Sequence, residues 1–240
     1  FSGEVNPSGK TPDTFIYDMT TAPWWNNGEK IEYTNLADLA VEGMNAGTPQ
    51  VYAPAFTNYV EGIYVGYKYY ETAAQEGVID YDKTVQYPFG YGLSYTKFEQ
   101  KMRDLKEKDG QISVDVVVTN TGDVAGKDVV EVYYNPPYTN GGIEKSSANL
   151  IEFAKTDLLQ PGESQTVTVT FNIEDMASYD ENNAKAYVLE KGDYVISINS
   201  DSHTVLDQKT YTADADVVYE GENKRASDDT AATNVFEDAK

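Results

Sequence analysis

Cysteine is absent from the 240-residue chain, which excludes a disulfide framework, a thiolate-ligated zinc site and a thiol nucleophile. Histidine occurs once, at His203, so no metal site can rest on a histidine pair and a Ser-His-Asp triad has a single position to draw on. Basic residues are few: 18 Lys and Arg stand against 40 Asp and Glu, a formal charge of −22. Repulsion at that charge opposes nucleic acid and anionic membranes as partners and favours neutral ones, and it also keeps a protein in solution. No apolar run approaches 18 residues, so nothing in the sequence reads as a membrane span. There is no glycine-rich phosphate loop and no secretory signal, and a start at Phe1 rather than Met reads as a fragment or a processed product. The compartment stays open, because cytoplasmic and exported bacterial proteins alike can lack cysteine.

What remains is a chain with 40% hydrophobic residues, enough for a packed core. It turns on the stretch Val85-Gln-Tyr-Pro-Phe-Gly-Tyr-Gly-Leu-Ser-Tyr-Thr-Lys-Phe-Glu99. Pro88, Gly90 and Gly92 punctuate it, and Tyr87, Phe89, Tyr91 and Tyr95 interleave with them, so it reads as a rigid, aromatic-packed connector. Ahead of it, Asn6-Pro7 and Ser8-Gly9 are turn dipeptides and Thr14 to Tyr17 fits one short strand. Trp24-Trp25 before Asn26-Asn27-Gly28 reads as a loop whose indoles either pack an interface or stack on a sugar. Leu36, Leu39, Ala40 and Met44 have helical spacing, with Thr34 or Asn35 as N-cap and Gly47 as stop. A second short helix is expected from Gly66 to Ala74.

Beyond residue 96 the hydrophobic period becomes two. Ile112, Val114, Val116 and Val118 alternate with Ser113, Asp115 and Thr119. Val130, Val132 and Tyr134 alternate with Glu131 and Tyr133; Val167, Val169, Phe171 and Ile173 alternate with threonines and Asn172; Tyr194, Ile196 and Ile198 alternate with Val195 and Ser197. One apolar and one polar face per strand predicts two antiparallel sheets packed face to face, an immunoglobulin-like β-sandwich of about seven strands. Asn120-Thr-Gly-Asp, Leu159-Gln-Pro-Gly-Glu and Glu190-Lys-Gly-Asp supply turns. From residue 212 onward the chain is acidic, running through Tyr219, Lys224 and Arg225 to Val235, Phe236 and Lys240.

Tyr87-Pro-Phe-Gly-Tyr-Gly-Leu-Ser-Tyr-Thr96 resembles the signature near the end of the second catalytic-module domain of glycoside hydrolase family 3, the β-glucosidase family, where it leads into a fibronectin type III-like domain. Four further segments are similar to that family: Gly3-Glu-Val-Asn-Pro-Ser-Gly-Lys10, Phe56 to Glu71, and, within the β-rich part, Val117 to Tyr134 and Leu150 to Glu163. In the second of these, Lys68 stands where the family has arginine, so any role resting on the planar guanidinium fork is lost. The resemblance implies a mainly β chain: residues 1–92 as the C-terminal, irregular tail of an α/β sandwich domain, 93–212 as a fibronectin type III-like β-sandwich, and 213–240 as an acidic linker. The continuation past the sandwich resembles the domain-permuted branch, in which a barrel domain follows.

The implied parent is a retaining β-glucosidase acting on terminal non-reducing β-D-glucosyl residues, and its partners here are the barrel, the rest of the α/β sandwich and a neutral sugar. Retention requires two carboxyl groups about 5–5.5 Å apart. The family's nucleophile lies in the barrel and its acid/base upstream of the Val-Asn-Pro-Ser-Gly segment, so neither maps here: no catalytic residue is assigned, the substrate-binding residues are left unassigned, and no metal or cofactor is expected. Glu61, in the second segment, is not the family's acid/base. His203 reads as an exposed turn, and Asp180-Glu-Asn-Asn183 lacks regular calcium-loop spacing. The chain is expected to be structural and non-catalytic alone; the alternative is a β-sandwich module that binds carbohydrate or protein.

Overall fold

The computed structural model describes residues 3–27, 31–52, 54–57 and 59–230. The expected course of the linker through Val235 and Phe236 to Lys240, and Gly28 of the tryptophan loop, lie outside the described residues. In chain order the first part holds β1 (Phe15–Ile16), β2 (Ile31–Glu32), α1 (Leu36–Leu39), β3 (Val41–Asn45), β4 (Thr48–Tyr52), β5 (Ala55–Phe56), α2 (Tyr67–Gln75), α3 (Tyr81–Thr84) and β6 (Val85–Tyr87). The second part holds β7 (Phe98–Met102), β8 (Lys106–Lys108), β9 (Gln111–Asn120), β10 (Val129–Asn135), β11 (Asn149–Lys155), β12 (Ser164–Asn172), β13 (Ser178–Asp180), β14 (Ala186–Leu189), β15 (Gly192–Asn199), β16 (Val205–Ala213) and β17 (Val217–Tyr219).

The alternating strands form two antiparallel sheets, one ordered β11-β10-β15-β16 and the other β12-β9-β7, with β8 also on β9. Val114, Val116 and Val118 of β9 meet Val130, Val132, Ile196 and Ile198 in a core from which all of these side chains exclude solvent. Burying each such aliphatic side chain contributes about 1.5–3 kcal/mol of transfer free energy, so this layer dominates the stability of the sandwich. Asp109-Gly110, with φ of 52° and 76°, makes the two-residue hairpin between β8 and β9, a turn that needs left-handed backbone at both positions. Behind Asn120 the turn is locked. This fully buried side chain donates to Val124 O (2.8 Å) and Leu159 O (2.9 Å) and accepts from Thr96 Oγ1 (2.7 Å) and Gly122 N (3.1 Å). Within the stretch read as an acidic linker, β17 pairs with β14 in a small sheet, and the Arg225 guanidinium lies 3.4 Å over the Tyr187 ring.

The expected helix over Leu36 to Met44 is one turn only, ending at Leu39. Asn35 occupies the N-cap position but makes no side-chain cap bond. Met44 instead belongs to β3, and Gly47 is the second residue of an Ala46-Gly47 turn, φ 50° and 83°, joining β3 to β4. The reason is local: Val41 favours extended backbone, and Gly43 lets the Tyr52 ring lie across the hairpin where any Cβ would stand 2.6 Å from it.

A second departure concerns Glu131 and Tyr133, the expected polar face of β10. Both are buried, 3% and 2% exposed, because the first part of the chain packs on that face of the sheet.

Candidate functional site

The seam between the first part and the sandwich gathers the titratable groups that sequence reasoning did not bring together. Gly66 (φ 60°) turns the chain into α2, whose residues Tyr67 and Glu71, four apart, share the face turned to the sandwich. The Tyr67 hydroxyl accepts from Leu150 N (2.8 Å), and its ring stacks on Phe89 with centroids 4.7 Å apart. One residue past Glu71, Thr72 Oγ1 accepts from Ser147 N (3.0 Å).

Glu71 is the centre of the cluster and is 7% exposed. Its Oε1 accepts from the Tyr81 hydroxyl of α3 (2.7 Å) and from the Ser202 hydroxyl (2.7 Å), and its Oε2 lies 2.8 Å from His203 Nδ1. The His203 ring is stacked on Tyr81, 3.6 Å between centroids. His203 lies in an exposed bend, as expected, but its ring is not idle: one nitrogen and one face are engaged. The Glu71 hydrogen bond raises the imidazole pKa above its ordinary value, against an opposing effect of burial. Burial, then the Glu71 charge, pushes the Tyr81 phenol up.

Alongside, the N-terminal Asn-Pro-Ser-Gly-Lys segment closes on the aromatic connector. Gly90 N donates to Thr11 O (2.9 Å), Thr11 N to Tyr91 O (2.8 Å), and Asn6 Oδ1 accepts from Tyr95 N (2.8 Å). Lys10 Nζ bonds Ser200 O at 2.7 Å and lies 3.7 Å from Glu131 Oε1. Glu131 also accepts from the Tyr133 hydroxyl (2.9 Å). Burial pushes its carboxyl up to about 7, with Lys10 and then the Tyr133 bond acting the other way. Gly90, φ 79°, is required here, since a Cβ on it would stand 2.3 Å from Glu131 Oε2. Ser202 N closes the seam on Phe89 O (2.8 Å).

Chemically the cluster is arranged as a clasp. Ser202 and His203 both bond the carboxylate of Glu71 rather than each other, so the pair lacks the serine-to-imidazole bond of a nucleophile and its base. Glu71 is spent on three donors and Glu131 is sealed from solvent. Glu61 accepts from Asn27 Nδ2 and lines, with Tyr64 and Lys68, a separate cleft of about 520 Å³. Burial lowers the Lys68 ammonium pKa. Trp24 and Trp25 are 40% and 44% exposed, their rings tilted at 51° with centroids 6.3 Å apart. Asp180 is occupied in capping its own loop, accepting from Ala184 N, Asn183 N and Asn182 N at 3.0 Å each, which holds its carboxyl below the usual range. Among the described residues no group of three His, Asp or Glu side chains is placed to hold a metal ion. One signal for the seam was present in the sequence: a glutamate inside the apolar run Val129-Val-Glu-Val-Tyr-Tyr134 needs a buried partner.

A fibronectin type III-like domain model matches residues 128–202. The β-glucosidase of Ruminococcus albus is 36% identical over 222 residues, which is 91% of this chain and 20% of that protein. Among solved structures, β-glucosidase 3B from Thermotoga neapolitana in complex with glucose matches at TM-score 0.69 and 34% identity over 88% of this chain and 25% of that one. The GH3 β-glucosidase of Bifidobacterium adolescentis matches at TM-score 0.68 and 28% identity over 88% of this chain and 27% of that one. The chain spans between a fifth and about a quarter of the length of these proteins. In sequence and in fold, the chain corresponds to the segment of glycoside hydrolase family 3 β-glucosidases that carries the fibronectin type III-like domain.

Proposed function

We propose that this chain is the bracing segment of a retaining β-glucosidase that removes terminal non-reducing β-D-glucosyl residues, with both catalytic carboxylates supplied by other parts of the parent. The observation that carries this is the Glu71 clasp. A helix of the first part is tied to the sandwich through Ser202 and His203 by buried, charge-assisted bonds, an arrangement suited to fixing two bodies rather than to turnover. In this reading residues 1–92 belong to the α/β sandwich, 93–212 hold it from behind, and 213–240 lead to a barrel in the permuted order. The parent's remaining domains are its partners, and the sugar is met by them.

An aryl β-glucoside assay tests the proposal. The isolated chain is expected to give no turnover above buffer, and Ser202→Ala in the parent is expected to lower the unfolding midpoint while leaving kcat within about twofold. Turnover by the isolated chain that disappears on replacing one of its own carboxylates would refute it.

A further inference from the structure

Beside the clasp, between α2 and the outer face of the β11-β10-β15-β16 sheet, lies a cleft of about 530 Å³. Its lining includes Glu71, Tyr81, Ser197, Asn199, His203 and Gln208. The register explains the polar floor: Ser197 and Asn199 alternate outward from β15, and Gln208 of β16 stands directly across from Ser197. Ser197 and Asn199 are only 7% and 2% exposed, yet among the described residues their side chains make no hydrogen bond. Asn199 Oδ1 is a buried acceptor without a partner. The Gln208 amide and His203 Nε2 are likewise unpartnered among the described residues. Buried polar groups are ordinarily satisfied, so Ser197 and above all Asn199 call for a partner, while Gln208 and His203, both exposed, stand at the rim of the cleft.

The chemistry narrows what that is. Glu71 is the single carboxylate in the lining and its oxygens are already committed, and neither lysine nor arginine reaches the cleft, so an anion or a cation finds no countercharge. The net charge of −22 further disfavours anions. A purely apolar ligand would leave the row unpaired. A neutral molecule with several hydroxyls both donates and accepts, as an amide, a hydroxyl and an imidazole nitrogen require, and it sets its C–H faces against the aromatic wall.

We propose that this cleft is a non-catalytic binding site for a short neutral saccharide, floored by Ser197, Asn199 and Gln208 and walled by the Tyr81–His203 stack. The site shares Glu71, Tyr81 and His203 with the clasp, but bracing needs no bound sugar, so failure of the site would leave that reading standing.

Saturation-transfer NMR on the full 240-residue chain with glucose and with cellobiose tests it. Transfer to the sugar protons is expected. Gln208→Ala, an exposed change that leaves the unfolding midpoint in place, and Ser197→Ala should each weaken binding about fivefold, the effect of one neutral hydrogen bond. Trp24→Ala and Trp25→Ala should leave it unchanged. Three results would overturn the proposal: no transfer from either sugar, transfer indifferent to Ser197 and Gln208 or lost with the tryptophans, or a sugar-soaked crystal whose cleft holds ordered water only.

Discussion

Replacing Gly90 by alanine probes the seam at its tightest point. Gly90 has φ 79°, a left-handed conformation that costs an L-residue about 1 kcal/mol. The added Cβ would stand 2.3 Å from Glu131 Oε2, a distance that real Cβ atoms do not keep, and a tight 3.0 Å from Glu131 Cδ and Oε1. Glu131 cannot step aside freely, because its side chain is 5% exposed and is held by the Tyr133 hydroxyl at 2.9 Å and by Lys10 at 3.7 Å. Breaking a buried hydrogen bond to a charged or partly charged group costs about 1.5–3 kcal/mol. The substitution should therefore destabilise by about 2.5–4 kcal/mol. Gly162 is the matched control: it has φ 79° and open space for 4 Å around the position its Cβ would take, so Gly162→Ala should cost about 1 kcal/mol. Urea unfolding of the two variants reads the difference directly, since the backbone contribution cancels. Equal losses for both, within about 0.5 kcal/mol, would refute the claim that Gly90 exists to admit Glu131.

Stability should fall as pH rises from about 4.5 to 7. In that window the folded protein keeps a proton on Glu131, whose carboxyl is raised to about 7, while the unfolded chain has lost it; the decline attributable to this group is about 3 kcal/mol, and Glu131→Gln should flatten the profile by that amount in urea titrations at pH 5 and pH 8. His203 adds to the same trend: its pKa is raised by Glu71, so its contribution is complete below the ordinary histidine value and is lost as pH climbs through the raised one, and a His203→Gln variant should show a shallower slope near neutrality. Asn120→Ala removes a fully buried side chain with four hydrogen bonds and leaves carbonyls and an N–H unpaired, which should cost about 2–4 kcal/mol in the same assay; a loss below 1 kcal/mol would show that water replaces it.

The sandwich was legible because its strands have one face in the core, and burial of Ile112 through Val118 imposes a strict period of two on the sequence. That same rule misplaced Glu131 and Tyr133. Period two separates faces, but it cannot tell solvent from a second body covering the outer face, and here α2 and the aromatic connector cover it. The engagement of His203 was not legible for a related reason: its partner Glu71 lies 132 residues away, and no local pattern carries contacts at that separation. The stretch from Leu36 to Met44 shows the opposite failure, where four apolar residues at helical spacing lost to the Ala46-Gly47 hairpin turn and to the extended preference of Val41. The connector itself was legible from its residue types, since Gly90 has a conformation and a close approach that other residues do not tolerate.

The most direct test of bracing uses an accident of composition: both tryptophans, Trp24 and Trp25, lie in the first part of the chain, whereas strand content lies mostly in the sandwich. Urea unfolding followed at once by tryptophan emission and by far-ultraviolet circular dichroism separates the two bodies. If the seam of Lys10, Glu71, Gly90 and Glu131 makes them one cooperative unit, the two transitions coincide in midpoint and slope. A tryptophan transition completed at lower urea, with the strand signal intact, would contradict the account, because the sandwich would then stand without holding anything.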